Sequence, residues 1–201
     1  MTAALGIELR SDPVERVETD VAVVPFFSDE RPLQGDAGRA DWRLCGRISE
    51  LLVAGTLQGE SGEALLVTAP GGIRCGRVIA LGLGARGRFD ADAVRETARD
   101  AVLRALGLRC RSLAMSLPAE DGDALPLGLQ VEALVTGAAH AVAERECEIQ
   151  FVLLTGPDQL PQIQEALRGV RPRGLPGPVA LRLPSPTPPS RDVTERPADL
   201  L

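Results

Sequence analysis

Short runs of consecutive apolar residues alternate along this chain with segments whose apolar positions recur every three or four residues. The first pattern predicts strands buried on both faces; the second predicts amphipathic helices packed against them. Strands are expected at residues 3–9, 20–26, 64–69, 77–82, 112–117, 149–154 and 178–183. Asp20-Val-Ala-Val-Val-Pro-Phe is apolar nearly throughout, and Pro25, which has no N–H to donate, is expected to end its ladder. Helices are expected at 39–54, 91–106, 126–143 and 158–168. In the first, Trp42, Cys45, Ile48 and Leu52 recur at helical spacing, Leu44 and Leu51 widen the stripe, and Gly55 marks the stop. Asp90 is the expected N-cap of the second, whose inner face is Val94, Ala98, Ala101, Val102 and Ala105. The third points Leu127, Leu134, Ala138 and Ala141 inward, and the fourth Leu160, Ile163 and Leu167.

The turn Pro70-Gly71-Gly72 is too short to hold a crossover helix. Strands 64–69 and 77–82 are therefore expected to be antiparallel neighbours, which makes the sheet mixed. Elsewhere strands and helices alternate, the pattern of an α/β domain with three layers, a sheet between helices. After Leu183 the prolines at 184, 186, 188, 189 and 197 break any regular element. The expected organisation is one domain, 1–183, and a Pro-rich flexible tail, 184–201.

Composition narrows the chemistry. A chain of 201 residues that is 44% hydrophobic and 25% charged suits one globular domain. Aromatics supply only 2%, so Leu, Val, Ile and Ala must build the core. A net charge of −6 repels phosphate backbones and disfavours nucleic-acid partners. No segment approaches the ~20 apolar residues that span a bilayer, and the start lacks the basic and apolar regions of a signal peptide. Cys45, Cys75, Cys110 and Cys147 are widely separated, without the spacing of a zinc or iron–sulfur site. A cytoplasmic setting is expected. The chain has no Lys, no Asn, no Tyr and one His, His140, which lacks an evident orienting partner. No Ser sits in a nucleophile elbow. The acids Glu120, Asp121 and Asp123 can hold a cation, but such a cluster reads first as a solvated loop. No catalytic residue, metal ligand or cofactor is assigned.

Ligands of open α/β sheets bind beyond the carboxyl ends of strands. The loops 27–38 and 82–90 occupy such positions. Gly82, Gly84 and Gly87 match a G-x-G-x-x-G fingerprint between a strand and a helix, where amides and a helix start favour a diphosphate and Arg86 can add a charged contact. Against a dinucleotide site, a hairpin precedes the turn, the ribose-binding acid is missing, and Asp90 and Asp92 crowd the helix start. Glycines for a tight turn and close packing are favoured.

The segments Asp20-Val-Ala-Val-Val-Pro-Phe, Leu57-Gln-Gly-Glu-Ser-Gly-Glu-Ala-Leu-Leu-Val and Arg77-Val-Ile-Ala-Leu-Gly-Leu-Gly, with Leu117-Pro118 closing a later strand, resemble the N-terminal domain of leucyl aminopeptidases, peptidase family M17. The resemblance covers roughly residues 5–155 and implies a macro-like α/β/α fold. It implies a domain outside the hexamer's catalytic machinery that supports assembly; some bacterial members also bind DNA as repressors. The family's two-metal signature, Asn-Thr-Asp-Ala-Glu-Gly-Arg-Leu, has no match here. The implied function is therefore a non-catalytic, stand-alone domain with an assembly, scaffolding or regulatory role, through self-association or a partner protein. The alternative is a nucleotide or ADP-ribose module. Macro domains bind ADP-ribose with an Asp near an early strand and two Gly-rich loops. Asp20, Gly35, Gly38, Gly82, Gly84, Arg86 and Gly87 stand in loosely similar places. Phe26 or Phe27 can stack on a base, although burial in the core is favoured.

Overall fold

The computed structural model describes residues 3–69, 71–118, 125–170 and 179–183. Seven strands form one sheet: β1 (Ala4–Arg10), β2 (Val21–Phe26), β3 (Ala64–Thr68), β4 (Arg77–Gly82), β5 (Ser112–Ser116), β6 (Glu148–Leu154) and β7 (Ala180–Arg182). Their order is β3-β4-β2-β5-β6-β1-β7. β3 and β4 are antiparallel, and every other pair is parallel, so the sheet is mixed as expected. The first strand is also the most remote in its pairing. β1 lies against β6 along its whole length, from Ala4↔Glu148 to Arg10↔Leu154.

The helices are α1 (Gly35–Arg43), α2 (Arg47–Val53), α3 (Ala91–Gly107), α4 (Leu127–Arg145) and α5 (Leu160–Gly169). Alternation along the strands decides which face each helix covers. Val21 and Val23 of β2 join the cluster under α3, α4 and α5. Ala22, Val24 and Phe26 join the cluster under α1 and α2. The expected inner face of α3 is fully buried, and the Asp90 carboxylate accepts from the Ala93 amide at 2.9 Å as its N-cap. Leu134, Ala138 and Ala141 of α4 are likewise buried, whereas Leu127 is only partly so. Among the described residues no helix is long and apolar enough to cross a membrane. The acids at 120–123 and the Pro-rich segment 184–201 lie outside the described residues.

Two expectations need correction. The single helix at 39–54 is two helices, broken where Cys45 (φ 56°) and Gly46 (φ 80°) are left-handed. The cause is Asp41, which sits on the inward face. Its buried carboxylate accepts from the Ile48 amide (2.8 Å), the Ser49 amide (3.1 Å) and the Ser49 hydroxyl (2.5 Å), capping α2 from seven residues back. That turn carries Trp42 outward to 82% exposure, and Cys45 is exposed beside it. Of the predicted stripe only Ile48 is fully buried. Pro25, in turn, does not end its strand. The ladder to β4 continues through Phe26↔Gly82, while the ladder to β5 stops at Val23↔Met115. The Leu83 amide donates to Phe26 O, so Phe26 faces β4 and Pro25 faces β5, where its missing N–H meets no partner strand.

Helices α3 and α4 cross closely at Gly137, where a Cβ would collide with the carbonyl oxygen of Arg95. Gly→Ala normally gains up to ~1 kcal/mol inside a helix. Here Gly137→Ala is expected to destabilise the protein by about 2–3 kcal/mol, because the helix backbones must part. Denaturant unfolding of the two proteins checks the sign.

Candidate functional site

The six parallel strands β1, β2, β4, β5, β6 and β7 end on one rim of the sheet. The loops after β2 and β4 meet there, as expected from the sequence. The Ser28 amide donates to Gly84 O at 2.9 Å, and the Arg86 amide to the Asp29 carboxylate at 3.1 Å. The Arg86 guanidinium bonds Glu30 at 2.9 Å and lies 4.1 Å over the Phe27 ring. Phe27 meets Phe89 edge-to-face at 5.1 Å. Phe26 and Phe27 are both buried.

These contacts give the Gly-rich turn a structural role. The Gly82 amide donates to Glu63 O (2.7 Å), Leu83 to Phe26 O (3.0 Å) and Gly84 to Gly59 O (2.9 Å). A phosphate cradle needs such amides free. Here they stitch the turn to residues 59–63, and Asp29 takes the place at the Arg86 amide that an anion would fill. Gly82 must lack a side chain, since a Cβ would strike Glu60 O, and Gly84 is left-handed at φ 74°. Gly87 faces open space.

The other candidates lie apart from this turn. Gly38 is inside α1, where a Cβ would come within 2.5 Å of Leu33 O, and it lines a groove of about 520 Å³ beside Trp42. Gly35 opens α1. Asp20 is on the opposite rim, one strand length (roughly 20 Å) from Gly82. Its carboxylate accepts from the amides of Arg111 (2.6 Å) and Ser112 (3.0 Å) and joins β2 to β5. The Arg111 amide contributes most to holding this carboxyl below its ordinary range; the Ser112 amide and hydroxyl and the Arg77 charge add to it, against partial burial. Asp20 therefore does not share a site with the glycines.

A polar crevice on the strand-end rim shares only Gly35 with the site residues expected from the sequence. It holds about 540 Å³ between the ends of β1, β5 and β6 and the start of α1. Asp36, Glu15, Ser116 and Thr155 line it, with Arg39 at its edge. Burial pushes the Asp36 carboxyl up, beyond what hydrogen bonds from the Ser116 hydroxyl and the Val14 amide and the Arg39 charge offset; the Glu15 charge pushes it further. The Glu15 side chain is 11% exposed, with one oxygen 3.4 Å from Arg43 and the other, Oε2, buried without a partner among the described residues. Two adjacent carboxylates can accept hydrogen bonds from ligand hydroxyl or amino groups. Applying the strand-end rule to β1 and β6 would have found Ser11–Pro13 and Thr155–Pro157, but only pairing those strands brings the loops together. His140 stands on α4, on the other face of the sheet. Among the described residues no group of three or more His, Cys, Asp or Glu could hold a metal.

The family model for the N-terminal domain of the cytosol aminopeptidase family matches residues 23–144. This chain belongs to that family. The M17 domain is 29% identical over 154 residues to a probable cytosol aminopeptidase of Acidobacterium capsulatum, covering 71% of this chain and 29% of the relative. It spans 19% to 29% of the length of the first curated relatives it matches. A tomato leucine aminopeptidase variant superposes with a TM-score of 0.60 at 18% identity, over 83% of this chain and 36% of the other. A Trypanosoma brucei macrodomain solved with ADP-ribose superposes with a TM-score of 0.61 at 18% identity, over 80% and 68%. The M17 domain thus has a macro-like α/β fold, and the matches cover the family's N-terminal domain, not its catalytic one.

The two perturbed aspartates should respond oppositely to pH. Asp20, with a lowered pKa, stabilises the fold above the unfolded carboxylate range, and this is lost as pH falls through its folded pKa. Asp20→Ala should cost about 1 kcal/mol at pH 7, discounted for solvent, and little once the carboxyl is protonated. Asp36, with a raised pKa, opposes folding when charged. Asp36→Asn should raise the melting temperature at pH 7, and the gain should shrink as pH falls into the carboxylate range. Thermal melts across pH check both.

Proposed function

We propose that this M17 domain is non-catalytic and serves assembly, scaffolding or regulation through contacts with protein, either a second copy or a partner such as an aminopeptidase of its family. The observation that carries this reading is Trp42. The chain's one tryptophan is 82% exposed at the rim of a groove, and Val53 of the following helix is 90% exposed. A folded domain rarely leaves Trp in water, and Trp is enriched where binding energy concentrates. Light scattering over a wide concentration range, with a pull-down against a full-length family aminopeptidase, tests it. The expected result is an oligomer or a captured partner. A monomer with no partner would refute it. Turnover of aminoacyl-anilides by the purified protein with manganese or zinc would refute the non-catalytic part.

A second reading is a small-ligand module for a nucleotide or ADP-ribose. It is favoured by the crevice at the strand ends, where Asp36 and Glu15 can accept from ribose hydroxyl or base amino groups and Arg39 stands beside them to offset their charge, and by the likeness to a macrodomain solved with ADP-ribose. Its seat would be the crevice at Asp36 rather than the turn at 82–87. Calorimetry with ADP-ribose and NAD decides it; heat that disappears in Asp36→Ala supports it, and no heat at millimolar ligand ends it.

A further inference from the structure

β3 is an edge strand, and among the described residues its outer side has no pairing strand. The ladder to β4 determines which groups face that side. Gly82 N–H donates to Glu63 O, and Ala69 N–H donates to Gly76 O. With Leu65↔Ala80 and Val67↔Val78 in register, the odd-numbered residues from 63 to 69 turn N–H and C=O toward β4. Ala64, Leu66 and Thr68 therefore turn theirs outward. Between Ala64 and Thr68 the strand has no charge and no proline, and Leu66 is 47% exposed. Edge strands are normally blunted by charge, proline, bulges or shortness. The opposite edge follows that rule: β7 has three residues, and its Arg182 is ion-paired with Glu148.

We propose that β3 pairs antiparallel with β3 of a second copy of this chain about a two-fold axis at Leu66, joining the two sheets into one. The inference rests on the assembly reading and names, apart from the groove at Trp42, one surface and one partner for it. The edge is complementary to itself. With Leu66 opposite the partner's Leu66, Ala64 stands opposite the partner's Thr68 and Thr68 opposite the partner's Ala64. Every pair joins two outward-facing residues, as the narrow pairs of an antiparallel ladder require; a one-residue slip would oppose outward to inward groups. One donor and one acceptor from each of three residues on each strand give about six hydrogen bonds. The two Leu66 side chains meet on the face that carries Ile79 and Leu81. No charged residue within the strand opposes its own copy. At one hydrogen bond per 100–200 Å², the contact is about 600–1,200 Å², the low end for specific association, so the dimer should dissociate on dilution.

Leu66→Lys and Leu66→Glu each put like charges face to face at the axis without touching the ladder to β4. Sedimentation or light scattering should show a dimer for the unmodified protein and at least about a tenfold weaker one for each variant, equivalent to ~1.4 kcal/mol. Mixing the two variants should restore the dimer, because Lys then faces Glu. Circular dichroism checks that each variant stays folded, and the mixing result is independent of small losses in stability. An oligomer insensitive to both variants overturns the β3 pairing and leaves assembly standing. A monomer that captures a partner protein does the same. A monomer with no partner overturns both.

Discussion

The pairing of β1 with β6 is the constraint on which the remainder of this domain depends. Seven residues near the start of the chain lie in register against seven residues 144 positions further on, from Ala4↔Glu148 to Arg10↔Leu154. Closing so long a loop costs conformational entropy, and a parallel pair with both faces covered offsets it through burial. Leu5, Ile7, Ile149, Phe151 and Leu153 all enter the core beneath α3, α4 and α5. With β1 in place, the loops after β1 and β6 stand beside the end of β5 and enclose the crevice at Asp36. With β1 and β7 at one side, β3 remains as the long edge at the other.

Backbone groups that look available in a motif are engaged when a neighbouring segment reaches them first. The turn Gly82–Gly87 has the spacing of a phosphate-binding loop, yet its amides bond Glu63, Phe26, Gly59 and Asp29. The same loop packing places Arg86 between Glu30 and the Phe27 ring. Polar groups of the crevice differ in kind. Asp36 bears a burial penalty, and Glu15 keeps a buried oxygen without a partner. Asp20, well supplied with amides, explains itself by joining strands, whereas the crevice carboxylates are not accounted for by the strands beside them.

Much of the fold was legible in the chain. All seven strands, the antiparallel β3–β4 pair, the Asp90 cap and the inner face of α3 follow from local patterning, because each depends on periodicity or on a single capping side chain. The stripe through Trp42 failed because Asp41 lies on the same turn. A carboxylate that meets two amides and a hydroxyl outweighs helical continuity, and the chain bends at Cys45 and Gly46. The site was less legible. Likeness to macro domains groups Asp20 with the glycines, but Asp20 precedes β2, whereas Gly35 and Gly38 follow β2 and Gly82, Gly84 and Gly87 end or follow β4, so the strands separate them.

The sequence by itself determined which segments are strands and which are helices, that the sheet is mixed, and that the chain resembles the N-terminal domain of the M17 family. These are properties of residue spacing, which a linear chain carries in full. Tertiary structure alone decided the order β3-β4-β2-β5-β6-β1-β7, the crevice that this order closes, and the edge that it leaves open. Neighbouring strands are chosen by competition among many apolar segments for the same buried positions, and no single segment encodes its partner.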